Sequence, residues 1–248
     1  MIQLFRRFIG RIEGRKVGED RDRFGHLSVF DRPAYVDVTE ARLAHLRSLN
    51  LPIAGKTVID LGCGIGRLSE FFVELGCDVF CVDGREDNIH QLRKFYPSRK
   101  TAIVDLETED LFKYGIFDIV FCYGILYHLS DPFGFIKRIS KICKEMLIIE
   151  TCITDALDPI LYLVKESQAD ASQALYGVGS RPSPSYITTC LKLAGFSYIY
   201  VPRELPNHKQ FRYRMVNDHS HLKNGGPIRN IFIASHKDLA NDELRQCS

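Results

Sequence analysis

The sequence predicts an α/β fold, a mostly parallel sheet with helices on both faces. Three features point to it: short apolar strand patterns alternate with helical stripes along the 248 residues, three alternating glycines follow the first strand, and acids recur at strand ends. Such alternation demands right-handed crossovers and places ligands beyond the carboxyl ends of the strands.

The first strand, Val58 to Leu61, contains Asp60 and runs into Gly62-Cys63-Gly64-Ile65-Gly66. Glycine is required where the backbone turns sharply beside a ligand, and a helix starting there leaves unpaired N–H groups facing that ligand. Leu68, Phe71, Phe72 and Leu75 then recur at helical spacing until Gly76. Cys77 to Asp83 is the second strand, and a helix through Ile89, Leu92 and Phe95 ends before Pro97. Thr101 to Val104 is the third strand and meets Asp105. Phe117 to Cys122 is the fourth and opens into Tyr123-Gly124-Ile125-Leu126-Tyr127-His128. Phe133, Ile136, Ile139 and Ile142 form an apolar stripe, with Lys137, Arg138, Lys141 and Lys144 around it. Met146 to Ile149 reads as a buried fifth strand. Ser183 and Pro184 read as the N-cap and first turn of a helix through Ile187, Cys190 and Leu191 that stops at Gly195. Tyr198 to Val201 and Ile231 to Ala234 complete seven strands.

A dinucleotide fingerprint would place its last glycine or alanine at Arg67 and needs no acid at position 60. Asp60, Gly62, Gly64 and Gly66 instead resemble motif I of the class I S-adenosylmethionine-dependent methyltransferases. Asp83 lies about twenty residues past the glycine loop, where its two acceptor oxygens suit the ribose diol. The resemblance implies that Asp60 holds the glycine loop and the cofactor's amino group, and that Asp105 meets the adenine amino group. Cys63, Arg67, Gly84, Leu106 and Tyr123 would complete the S-adenosylmethionine site. It also implies a Rossmann-like seven-stranded sheet with the last strand inserted antiparallel. The Tyr123 to Pro132 segment resembles those of small-molecule methyltransferases and of tRNA wobble-uridine carboxymethyltransferases.

Composition favours a small-molecule substrate over nucleic acid, because 33 basic and 31 acidic residues leave a net charge of only +2. No apolar run is long enough to span a bilayer. Of eight cysteines, Cys63, Cys81, Cys122, Cys143 and Cys190 sit within apolar patterns, no Cys-x-x-Cys occurs and no secretory signal is evident. A reducing cytoplasm is the expected compartment.

Residues 1–50 read as an N-terminal helical extension, and residues 51–248 as the methyltransferase domain with insertions at about 151–182 and 203–228. Leu4, Phe5, Phe8, Ile9 and Ile12 share one helical face among Arg6, Arg7, Arg11 and Arg15. Packing on the domain or across a homodimer is the expectation for that face; peripheral membrane contact by residues 1–16 is the alternative. The 151–182 connection, carrying Asp155, Asp158, Tyr162, Tyr176 and Arg181, reads as a lid over the substrate. Asn207 to Gly226, with Arg212, Tyr213 and Arg214, reads as a substrate-side loop suited to an anionic or sugar-like acceptor. Asp218-His219-Ser220-His221 within it does not make a metal site, and none is expected.

For chemistry, His128 is the candidate base, since it follows the fourth strand closely and imidazole titrates near neutral pH; a structural role is the competing reading. Tyr127 and Tyr123 are placed to present ring faces to the sulfonium. Arg32 or Arg67 would take the methionyl carboxylate. The expected activity is methyl transfer to a small-molecule hydroxyl, with tRNA modification and a non-catalytic cofactor-binding subunit as alternatives.

Overall fold

The computed structural model describes residues 29–215, 217 and 226–247. The amphipathic face expected over residues 1–16 and the Asp218 to His221 run lie outside them.

An N-terminal helix α1 (Pro33–Ser48) leads into β1 (Thr57–Leu61), α2 (Glu70–Glu74), β2 (Asp78–Asp83), α3 (Glu86–Phe95), β3 (Lys100–Ile103), β4 (Phe117–Tyr123), α4 (Pro132–Ser140) and β5 (Cys143–Ile153). A two-stranded hairpin, β6 (Leu161–Lys165) and β7 (Val178–Pro182), precedes α5 (Pro184–Leu193), β8 (Tyr198–Pro202), β9 (Ile228–Ser235) and β10 (Leu244–Gln246). The main sheet runs β10-β8-β9-β5-β4-β1-β2-β3. The pairs β1–β2, β1–β4, β2–β3 and β4–β5 are parallel, whereas β9 is antiparallel to both β5 and β8. All seven expected strands therefore appear in the expected Rossmann-like order, and β10 extends the edge.

Both sheet faces are covered, which is why the central strands are apolar throughout instead of alternating with polar residues. On one face Ile59, Leu61, Val120, Cys122, Leu147 and Ile149 meet Phe135, Ile136 and Ile139 of α4 and Ile187 and Leu191 of α5. On the other, Val58, Ile119, Phe121, Met146 and Ile148 meet Leu43 and Leu46 of α1 and Phe71 and Phe72 of α2. Helix α1 thus shares a core with the sheet. Phe72 stands edge-on to Phe121 with centroids 4.7 Å apart, a geometry that adds about 0.5–1.5 kcal/mol to simple burial.

Register brings the polar strand ends together. Asp60 lies opposite Cys81 and Phe121, Tyr123 opposite Glu150, and Cys152 opposite Arg229. Gly62, Asp83, Tyr123 and Glu150 consequently gather at the carboxyl edge of the parallel strands.

The N-cap of α5 is as the sequence indicates, and it does more than cap. Buried Ser183 Oγ accepts from the Tyr186 N–H (3.1 Å) and the Ile160 N–H (3.2 Å) and donates to the Asp158 carbonyl (2.7 Å). Ser183→Ala is expected to lower stability by about 1–2 kcal/mol, read by urea denaturation, because it strands groups on both the helix and the connection before β6.

Candidate active site

The glycine loop closes on the neighbouring strand before it reaches any ligand. The Gly62 and Cys63 N–H groups both donate to the Val82 carbonyl at 2.8 and 3.0 Å. Gly62 adopts φ +70°, and a Cβ there would come within 2.6 Å of Ile125 Cβ, so neither the conformation nor the space admits a side chain. Gly64, at φ +55°, lies against the Phe30 ring. Gly66 faces Leu92 of α3 and stands away from the cavity wall; it serves helix packing.

Around the loop opens a cavity of about 630 Å³. Its wall includes Asp60, Gly62, Cys63, Gly64, Arg67, Asp83, Gly84, Asp105, Leu106, Tyr123, Tyr127 and His128, which are all the site residues read from the sequence except Gly66.

Asp83 is the tie between β2 and the loop. Its Oδ2 accepts from the Gly64 N–H at 2.9 Å, and its Oδ1 accepts from the Arg85 N–H (2.8 Å) and Asn88 Nδ2 (3.1 Å). The carboxylate therefore orders the start of α3 as well as the loop. Burial raises its pKa against the pull of these donors. A carboxylate offers about four lone-pair directions, so three donors leave room for a ribose hydroxyl at Oδ2. Asp60, 3% exposed, accepts from the Ser69 hydroxyl, and burial pushes its pKa up to about 7.

Asp105 is more heavily engaged. It accepts from the Glu107 N–H (2.9 Å), the Thr108 hydroxyl (2.7 Å) and the Tyr176 hydroxyl. Tyr176 belongs to the connection between β6 and β7, which folds over the β2 end of the cavity. Arg85 donates to the carbonyls of Gln168 and Gln173, both at 3.1 Å, and Asn88 to that of Ala171 at 3.4 Å. Leu175 closes on Gly84, where a Cβ would sit 3.2 Å from its Cδ2. Arg67 is paired with Asp31, while Arg32 lines the cavity.

The far wall holds a charge cluster whose two arginines, Arg42 and Arg229, the sequence does not single out. Glu150, fully buried in the second half of β5, binds Arg42 of α1 at 2.9 Å and Arg229 of β9 at 3.0 Å. Burial alone would raise its pKa, but the two guanidiniums overcome it and hold it below the usual carboxylate range. Arg229 also donates to Gln210 Oε1 (2.7 Å) and to the Tyr127 hydroxyl (3.1 Å), and the guanidiniums of Arg229 and Arg181 lie 4.8 and 5.3 Å from the Tyr127 ring centroid. Burial pushes the Tyr127 pKa up to about 12, so this phenol stays protonated at neutral pH. An acid ending a run of buried aliphatic residues was the signal available in the sequence, since such a charge demands partners.

His128 joins the same wall through Glu166, the residue that follows β6. Its Nδ1 is hydrogen-bonded to Oε2 of Glu166, which also accepts from the Ala174 N–H (2.8 Å) and, through Oε1, from Arg181 at 3.3 Å. Burial lowers the His128 pKa more than Glu166 raises it, leaving the ring neutral at neutral pH. With Nδ1–H directed at a carboxylate, Nε2 carries the lone pair.

A methyltransferase-domain family model matches residues 20–201. The chain belongs to this family. The methyltransferase is 26% identical over 192 residues to the tRNA U34 carboxymethyltransferase of Dichelobacter nodosus (strain VCS1703A), a match covering 73% of this chain and 59% of that protein. It is 32% identical over 120 residues to the ubiquinone biosynthesis O-methyltransferase of Glaesserella parasuis serovar 5 (strain SH0165), covering 44% and 51%. The chain spans about half the length of the curated relatives it matches. Two solved structures share its fold. The N-terminal domain of EvdMO1, determined in the presence of SAH and D-fucose, covers 80% of this chain and 82% of its own at 20% identity and TM-score 0.60. The magnesium protoporphyrin IX methyltransferase ChlM of Synechocystis PCC 6803, with bound SAM, covers 92% and 96% at 16% identity and TM-score 0.55. Family, sheet order and glycine loop give the chain a methyltransferase domain of the class I S-adenosylmethionine-dependent type.

Two substitutions test the cofactor side by calorimetry with S-adenosylhomocysteine. Asp83→Ala is expected to weaken binding by on the order of tenfold or more, through loss of a charged acceptor. Gly62→Val is expected to abolish binding and also to lower the thermal transition, because the added branch occupies the place of Ile125 and the backbone holds a positive φ.

Proposed function

We propose that this methyltransferase transfers a methyl group to a hydroxyl oxygen of a small acceptor, with His128 as the base and Glu166 as the group that orients it. The observation that carries the reading is the buried His128–Glu166 pair on the cavity wall, within the turn that follows β4. S-adenosylmethionine supplies a methyl already activated on a sulfonium. The protein's share is therefore alignment, worth on the order of 7–11 kcal/mol in favourable cases, and timely removal of one proton.

Asp83, Gly62 and Gly64 hold the adenosyl part at the strand edge in this reading, and the 166–177 segment shields it from water. Tyr127, gripped between two guanidiniums, is fixed as a wall and keeps its proton. His128 Nε2 takes the acceptor's hydroxyl proton, and Glu166 stabilises the imidazolium so formed. Similarity to the ubiquinone biosynthesis O-methyltransferases supports oxygen as the acceptor atom. Eight free cysteines suit a reducing, cytoplasmic setting. Among the described residues no helix is long and apolar enough to cross a membrane. A second reading, methyl or related transfer to tRNA, is favoured by the longer match to the tRNA U34 carboxymethyltransferases.

Incubation with methyl-labelled cofactor and a metabolite extract, with and without ribonuclease, separates the two: label in small molecules is expected, and ribonuclease-sensitive label replaces the first reading with the second. Once an acceptor is in hand, His128→Ala is expected to lower kcat by about 100-fold or more. Because the neutral ring is the base, kcat/KM rises with pH through a value below the ordinary imidazole range and is level at neutral pH. Glu166 strengthens the ring's hold on a proton, so Glu166→Gln is expected to move that acidic limb to lower pH and to reduce kcat.

A further inference from the structure

The turn between β6 and β7 serves both ends of the cavity. Ala171, Ser172, Gln173 and Leu175 form part of the wall near Asp83. The same turn closes on Glu166, whose N–H donates to the Gly177 carbonyl at 2.9 Å and whose Oε2 accepts from the Ala174 N–H at 2.8 Å. That oxygen is also the one bonded to His128 Nδ1. The imidazole is therefore seated only as firmly as the peptide group that carries the Ala174 N–H.

A trans peptide is a rigid plane with its C=O and N–H pointing opposite ways, so fixing one edge aims the other. The carbonyl in this plane belongs to Gln173, and Arg85 Nη2 donates to it at 3.1 Å. A donor on the carbonyl also polarises the amide and strengthens what its N–H gives away. Arg85 reaches the carbonyls on either side as well, Ala174 at 3.4 Å and, through Nη1, Gln168 at 3.1 Å. Its own backbone N–H is held by Asp83 Oδ1 at 2.8 Å. A continuous line thus runs from Asp83 through Arg85, one peptide and Glu166 to His128. The other groups facing the ring come from elsewhere: Arg181 of β7, which takes Glu166 Oε1 at 3.3 Å, Arg229 of β9, and the Tyr127 ring with its centroid 4.0 Å away.

We infer that Arg85 is a positioning residue for His128: it fixes the Gln173–Ala174 peptide, whose N–H holds the Glu166 oxygen that selects the Nδ1–H tautomer and leaves the lone pair on Nε2. This rests on the methyl-transfer reading, in which that lone pair takes the acceptor's proton. The group that fastens the wall beside Asp83 then also prepares the base on the opposite side.

The test is nitrogen NMR of the full chain at neutral pH with labelled histidine rings, the His128 signals being those lost in His128→Gln. The unmodified protein is expected to show the Nδ1–H form, and Glu166→Ala to populate both tautomers. Arg85→Ala removes the guanidinium but keeps the backbone N–H on Asp83. It is expected to lower the ratio of Nδ1–H to Nε2–H by about threefold or more and to speed exchange of the Ala174 amide hydrogen by a similar factor. Arg85→Lys, which keeps a charged donor, is expected to fall between, and serves where the Ala variant fails to fold. A ratio that Glu166→Ala moves and the Arg85 variants leave unchanged overturns the inference. So does a shifted ratio with the Ala174 amide unaffected, or a ring that is not Nδ1–H in the unmodified protein. Failure of the unmodified protein to bind S-adenosylhomocysteine sinks the methyl-transfer reading itself, so the two failures are distinct.

Discussion

A carboxylate with no exposure to water governs how this molecule is assembled. Glu150 lies within the longest strand of the sheet, three residues from its end, and a bare charge there would cost several kcal/mol, so two guanidiniums must converge on it. One comes from α1 and the other from β9, elements 108 and 79 residues away in sequence. Their docking closes one end of the cavity and sets the place of Tyr127, which Arg229 holds by both ring face and hydroxyl. Folding and site formation are therefore the same event on this side of the molecule.

The cofactor side rests on a more local device. Asp83 binds the Gly64 amide and the start of α3 at once, so the loop, the second strand and the following helix move as one piece. Glycines at 62 and 64 are needed for different reasons, the first by Ile125 and by its positive φ, the second by the Phe30 ring. The two sides meet at the turn from Tyr123 to His128, whose glycine at 124, with φ +90°, lies against both Arg42 and Glu150.

The sheet was readable in the sequence because central strands buried on both faces are written as unbroken apolar runs, and because glycine, proline and serine mark where helices begin and end. Asp60, Gly62, Gly64 and Asp83 were readable because loop and strand end lie within about twenty-five residues of each other. What lay hidden is long-range or weakly patterned. The hairpin of β6 and β7 contributes Glu166, yet Leu161 to Lys165 is largely exposed and Val178 to Pro182 contains glycine and proline, so neither carries a strand signature. Arg42 lies in a helix whose polar and apolar residues are mixed around its circumference, and only the fold brings it to Glu150. The 151–182 connection reads as a lid over the substrate; its 166–177 stretch covers the β2 end of the cavity, and Glu166 pairs with His128.

That covering stretch is fastened chiefly by one side chain. Arg85 spans the carbonyls of Gln168, Gln173 and Ala174 from outside the sheet, much as a buckle spans a strap. The hold on that stretch thus sits in a partly exposed guanidinium, apart from the buried groups of the opposite wall.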